Sequence, residues 1–462
     1  MKRKNKKLSI FKEVIVIIII GILTFYNITS ANTNGNSSLN IELIKVVPHD
    51  ENFSYLLNSY GFTRSLPPLK IKSTAGKDYV IIPAYKPKIF RLSTLEEIHI
   101  NNIYLEPYEV REYSFIGYPY VLNSKFYWIA PNKFSNSVKC DCYELRERKD
   151  SSLEFYKLWS INLLNLDEVA SEKNFLLTSF YKNYVLLRID SRLALFDLNS
   201  KNIEWVKEYE YSYLISHISI VNIKIAITVH YEGPNLESVI SGVDLKTGDI
   251  LWQQPFSDYV RYGIIPLNIY ASISQNEKSH ISEIIMEPNC FLTFFSRFSG
   301  YKRIIRCMNL YNGQIIFEKS LPYSEQIMFP ISGYQIFDSD FPIYDNKIFF
   351  TLIDTSSNIL IMYSINLIYP YKIETYLLEE VENINFTSSF TSPISVGEAL
   401  ISWIGKEYFE GGAIVIIDKN DCNIRKYIDI DETFINPSNP LKYGKIVVVN
   451  TEESIYFYKV VF

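Results

Sequence analysis

The chain has 462 residues, 47% of them hydrophobic and 21% charged, with a formal net charge of -5. This apolar content excludes global disorder, and the acidic excess excludes a chain-wide basic surface for nucleic acid. Aromatic residues reach 15%, with 36 Tyr and 29 Phe, which favours strands over helices. The five scattered cysteines do not form a disulfide scaffold.

The first element is an address. Lys2, Arg3, Lys4, Lys6 and Lys7 precede an apolar run from Val14 to Leu23 that extends to Phe25. Thr29 and Ala31 follow with the spacing of a signal peptidase site. Residues 1–31 therefore read as a signal peptide or as an uncleaved N-terminal membrane anchor, since Leu8, Ile10 and Phe11 lengthen the apolar stretch. The basic start stays cytoplasmic, so the rest is expected to be extracytoplasmic: periplasmic, secreted or membrane-anchored facing outward. No Cys near the junction offers a bacterial lipid anchor. Residues 32–40, rich in Asn, Ser and Gly, read as a flexible tether.

From 41 to 462 one phrase recurs: a strand, a turn, then an aromatic seven residues after a Leu. Leu198 to Trp205, Leu245 to Trp252 and Leu310 to Phe317 are the strong copies. Weaker ones start at Leu367 and at Ile417, ending there at Ile424. Earlier ones start at Leu92 and at Leu145, the latter with a longer turn before Trp159. The spacing of about 50 residues is that of a four-stranded propeller blade. Residues 41–100 match the repeat least.

Thr247-Gly248 and Asn312-Gly313 are turn dipeptides that supply a positive φ. Rings at Trp205, Trp252 and Phe317 are expected to pack between neighbouring blades. Tyr184–Ile189 with Arg192–Phe196, Lys347–Leu352 with Ile359–Ser364, and Gly444–Val449 with Ser454–Tyr458 read as hairpins.

The segment Gly242-Val-Asp-Leu-Lys-Thr-Gly-Asp-Ile-Leu-Trp252 resembles the PQQ-like β-propeller repeat, whose pattern is roughly Leu-Asp-x-x-Thr-Gly-x-x-x-Trp. The resemblance implies an all-β fold: a single β-propeller of seven or eight four-stranded blades, eight if the Leu92 copy is real. The last hairpin, Lys445 to Tyr458, has no turn-and-aromatic phrase after it. An early strand such as Leu39 to Val47 is expected to complete that blade and close the ring, which removes exposed edges. A β-sandwich with a second domain, and a mixed fold in the first hundred residues joined to a smaller propeller, are the rival architectures.

Quinone-dependent dehydrogenases resemble this repeat but use adjacent cysteines and a carboxylate-rich calcium site. Here Cys140-Asp-Cys142 is spaced one residue wider, without a matching acidic cluster. Two cysteines on one strand face would need two further ligands to hold zinc. His49, His99, His217, His230 and His280 form no metal-type pair. Glu374, Glu379, Glu380 and Glu382 read as a solvated loop. No catalytic, cofactor or metal site is expected. Cys290 and Cys307 form a cross-strand disulfide if their turn centres on Phe298 and Ser299. The pair is lost if it centres on Ser299 and Gly300.

The resemblance extends to exported members that include an outer-membrane-protein assembly factor. It implies a non-catalytic scaffold that binds an envelope or extracellular protein, with no nucleic-acid partner. The alternatives are a hydrolase or lyase on a polysaccharide or peptide at the propeller mouth, and a small-ligand or sugar sensor.

Overall fold

The computed structural model describes residues 39–461 with breaks, the longest at 166–175, 257–289, 329–342 and 379–388. Residues 1–38, and with them the signal or anchor segment and most of the tether, lie outside the described residues. The described chain is strand and turn without helix. It forms ten antiparallel sheets, of which two are two-stranded hairpins and eight are blades. The chain is a β-propeller, and eight is the larger of the two blade counts that the repeat allowed.

The blades follow in chain order over 69–98, 118–165, 176–208, 215–256, 290–320, 327–378, 389–430 and 441–461. Blade 3 shows the plan: Leu176–Tyr181, Tyr184–Ile189, Arg192–Asp197 and Asn202–Glu208 pair in order as an antiparallel meander. In blade 5 the strands Cys290–Ser296, Arg303–Asn309 and Ile315–Ser320 are the three described. The Leu92 copy is a blade turn, between Lys88–Arg91 and Glu97–Ile98 of blade 1. The two hairpins, Leu56–Ser59 with Phe62–Ser65 and Tyr108–Val110 with Tyr113–Phe115, stand before blades 1 and 2.

Blade 8 is completed from the other end of the chain. Asn40–Pro48 pairs antiparallel with Ser454–Val461, Asn40 opposite Val461 and Pro48 opposite Ser454, with one bulge between Leu43 and Lys45. Ile41 and Val47 are buried there. His49 continues the pairing: its backbone N–H donates to the Glu453 carbonyl at 2.7 Å. Its Nε2 lies 2.8 Å from Asn450 Oδ1. This is the early strand expected to close the ring.

Alternation explains how blades stack. The strands Ala399–Gly405 and Gly412–Asp418 of blade 7 are buried along their whole length. Leu400, Ile404, Ala413 and Val415 pack towards Phe349 and Met362 of blade 6. The residues between them, Ile401, Trp403, Ile414 and Ile416, pack towards Val447, Tyr456 and Tyr458 of blade 8. Successive side chains point to opposite faces of a strand, so one apolar strand serves two interfaces. Val448, Ile455 and Phe457 of blade 8 then meet Val80, Ile82 and Phe90 of blade 1, which closes the ring.

Candidate interaction faces

The recurring phrase is a blade-to-blade lock. Asp197, Asp244 and Asn309 end their strands, and each side chain accepts backbone N–H groups of the following turn, as Asp244 does from Lys246 and Thr247. These Asx turns leave the buried Leu198, Leu245 and Leu310 first in the turn. The fourth phrase residue has a positive φ in each copy: Lys201 at 60°, Gly248 at 75° and Gly313 at 69°. A bulge follows, just before the aromatic, so that Trp205 stands opposite Leu195, Trp252 opposite Gly242 and Phe317 opposite Cys307. Such a bulge re-aims the next side chain.

The aromatic then reaches the next blade. Trp205 Nε1 donates to the Leu245 carbonyl at 2.8 Å, and Trp252 Nε1 to the Leu310 carbonyl at 2.8 Å. Each indole covers a glycine of the neighbouring turn. A Cβ at Gly248 would lie 2.8 Å from Trp205 Cε3, and one at Gly313 would lie 2.3 Å from Trp252 Cε3. Trp205 and Trp252 thus each reach the phrase turn of the next blade. Phe317 is half-buried on its outer strand. Trp159 takes the same bulged position in blade 2, opposite Cys142, and Lys201 Nζ lies 5.6 Å from the centroid of its ring.

Two copies deviate. In blade 7 the phrase starts at Lys419 rather than Ile417. Asp418 takes the capping position and Cys422, at φ 55°, the positive-φ position. Ile417 lies within the strand Gly412–Asp418. In blade 6 no bulge forms, and Glu374 stands opposite Ser364. Glu374 is therefore a strand residue and not part of a solvated loop. Lys347 Nζ donates to it at 2.7 Å, Lys372 Nζ at 3.0 Å and the Tyr376 hydroxyl at 2.8 Å. The Lys347 bond above all holds its carboxyl at about 2. Glu379, Glu380 and Glu382 lie outside the described residues.

The cysteines are core residues. Cys140 and Cys142 share one strand face and are fully buried between blades 2 and 3. Burial pushes the Cys140 thiol well up and the Cys142 thiol to about 11. The hairpin of blade 5 pairs Ser296 with Arg303, so it centres between Ser299 and Gly300. That register sets Cys290 opposite Asn309 and Cys307 opposite Leu292. The Cys290–Cys307 disulfide is not made, and Cys307 is a free buried thiol. Among the described residues no three His, Cys, Asp or Glu gather as a metal site.

The meander makes the two faces of the ring unlike. In each blade the first and third turns lie at one end. The second turn and the passage to the next blade lie at the other. The first end carries tight turns such as Asn123-Ser124, Lys182-Asn183 and Gly444-Lys445, together with the phrase turns. We call it the turn face. At the other end the chain leaves each blade, as after Phe256 and Leu378, and the segments that carry both extra hairpins join it there. We call it the connection face.

The turn face has a feature that the repeat did not announce. A lysine stands in or directly after the first turn of blade after blade: Lys77, Lys125, Lys182, Lys224, Lys347 and Lys445. Lys77 is paired with Glu147 at 2.7 Å and Lys347 with Glu374. Lys182 and Lys224, and Lys201 and Lys246 of the phrase turns beside them, are exposed and form no ion pair among the described residues.

No protein-family model matches the sequence, and no curated protein does. Among solved structures the chain is similar to BamB from Moraxella catarrhalis, at 12% identity and a TM-score of 0.35, over 72% of this chain and 95% of that one. It is similar to the hydrazine synthase of Kuenenia stuttgartiensis at 12% identity and a TM-score of 0.41, over 73% and 93%. It is also similar to the Cps50 (Swd1) β-propeller domain of Myceliophteria thermophila at 7% identity and a TM-score of 0.38, over 72% and 95%.

Proposed function

We propose that the chain is an exported, non-catalytic propeller of the PQQ-like repeat class that serves as a scaffold for an envelope or extracellular protein. The observation that carries this reading is the contrast between the ring and its connection face. The blades are locked to one another by Trp205 and Trp252, and the ring is clasped by Asn40–Pro48. A frame of that kind holds loops in fixed places, and loops on rigid frames carry binding. The passages that join one blade to the next leave and rejoin the ring on that face, so it is the partner surface. A partner segment binds across those loops or adds a strand to an outer blade edge. The basic and apolar order of residues 2–25 supports export. The phrase turn, with its Asx cap, positive φ and aromatic, supports the repeat class.

Cross-linking of the tagged full-length protein in cells, followed by mass spectrometry, tests this. The expected result is one reproducible envelope or extracellular partner, linked to connection segments such as 257–289. Capture of nothing above an exported control protein would overturn the scaffold reading.

A further inference from the structure

We propose that the outer strand of blade 6 is a docking edge for a second copy of this chain. The outermost strand of a blade has a sheet neighbour on one side only. Such an edge recruits a further strand unless a bulge, a charge, a proline or shortness prevents it. The outer strands of blades 2, 3, 4, 5, 7 and 8 each carry a bulge. That of blade 1 is only two residues long, Glu97–Ile98. Ile373–Leu378 of blade 6 has neither protection, and its six residues pair with 360–365 in unbroken register. Its one carboxylate, Glu374, is ion-paired with Lys347 and Lys372.

The direction of the free backbone groups follows from one bond. Asn366 N–H donates to the Lys372 carbonyl at 2.9 Å, which makes these two a hydrogen-bonded pair. Hydrogen-bonded and open pairs alternate along an antiparallel ladder. Glu374, Tyr376 and Leu378 therefore turn their backbone groups towards the blade. Ile373, Thr375 and Leu377 turn theirs outward, where no described strand takes them up.

This edge is its own complement. A twofold axis at Thr375 sets Thr375 opposite Thr375 of the second copy, and Ile373 opposite Leu377. Each facing pair exchanges both of its backbone hydrogen bonds. The Ile–Leu pairs cover Leu377, which is 42% exposed in the single chain, and the central Thr–Thr pair is favourable. On the other blade face Glu374 stands opposite Tyr376 of the second copy, and Lys372 opposite Leu378, so like charges do not oppose each other. A strand of another protein would need only the outward groups. The match of side chains and charges about one axis singles out a second copy. Antiparallel pairing also turns one ring over against the other, so the two connection faces point in opposite directions.

Sedimentation of the full chain over a concentration series tests the pairing. The expected result is a reversible dimer by about 100 μM, in the range of a small transient interface. Thr375→Pro removes an outward N–H that the blade itself does not use, so it is expected to abolish the dimer and leave the urea midpoint in place. Thr375→Lys and Thr375→Glu are each expected to be monomeric, because the axis sets like charges against each other. An equimolar mixture of the two is expected to restore the dimer, which a merely misfolded variant would not do. A parent chain that stays monomeric over the series would overturn the proposal, even if it captured another protein at this edge, which would assign the edge to that protein. So would a dimer that survives these substitutions, or a Lys and Glu mixture that stays monomeric.

Discussion

The indole N–H of Trp252 donates to the carbonyl of Leu310 at 2.8 Å, across 58 residues of sequence. The bond ties the outer strand of blade 4 to the phrase turn of blade 5. Trp205 makes the same bond to Leu245, one blade earlier. Two sequence copies of one phrase are thus two copies of one interface.

Trp252→Ala is expected to cost roughly 3–5 kcal/mol, because it removes a buried ring at a junction that cannot collapse freely. Trp252→Phe keeps most of the packing and loses one hydrogen bond, at about 1 kcal/mol. Urea denaturation reads both. An alanine variant within about 1 kcal/mol of the parent would contradict the lock.

Gly313 and Gly444 separate backbone strain from crowding. Both have a positive φ, yet a Cβ at Gly444 meets nothing within 4 Å, whereas one at Gly313 meets Trp252. Gly444→Ala is expected to cost about 1–2 kcal/mol, and Gly313→Ala about 2–4 kcal/mol once the displaced indole is added. Equal losses in thermal or urea unfolding would show that Trp252 does not rest on the blade 5 turn.

Glu374 makes stability depend on acid. Its folded carboxyl is held at about 2 by Lys347, Lys372 and Tyr376, below its unfolded value. The group therefore contributes fully above the unfolded value near 4.5, and the contribution is lost as pH falls towards about 2. Glu374→Gln should lower the urea midpoint at neutral pH and flatten its fall over that acid window. A variant whose pH profile runs parallel to the parent would remove Glu374 from the account.

Cys140, Cys142, Cys307 and Cys422 are buried free thiols. Burial also pushes Cys422 up to about 11. The native chain at about pH 8 should label no more than one thiol with a disulfide-exchange reagent. The denatured, unreduced chain should label all five. Three thiols in the denatured chain would restore the Cys290–Cys307 bridge.

Much of this architecture is legible in the sequence for local reasons. Thr247-Gly248 and Asn312-Gly313 announce a positive φ, and the ring after them announces the lock. The copy at Lys419 is harder to see, because a lysine replaces the buried leucine and Ile417 offers itself as a substitute. Asp418 is the signal that finds it, in line with Asp197, Asp244 and Asn309. The Cys290 and Cys307 pairing turns on one residue of turn position, which the apolar pattern on either side does not specify. The lysines at the first turns are visible wherever a hairpin is, as at Lys347 and Gly444-Lys445. That they share a face follows only from the order of strands in each blade.

The first strand closes the ring and sets the face at which Asn40 enters it. Glu42 and Lys459 are exposed partners across that pairing. A Glu42→Cys and Lys459→Cys double variant, oxidised mildly while folded, should form an internal disulfide that neither single variant forms, read by intact mass and gel mobility. A folded double variant whose new cysteines stay reduced would contradict the closure, and with it the placing of the N-terminus on the turn face.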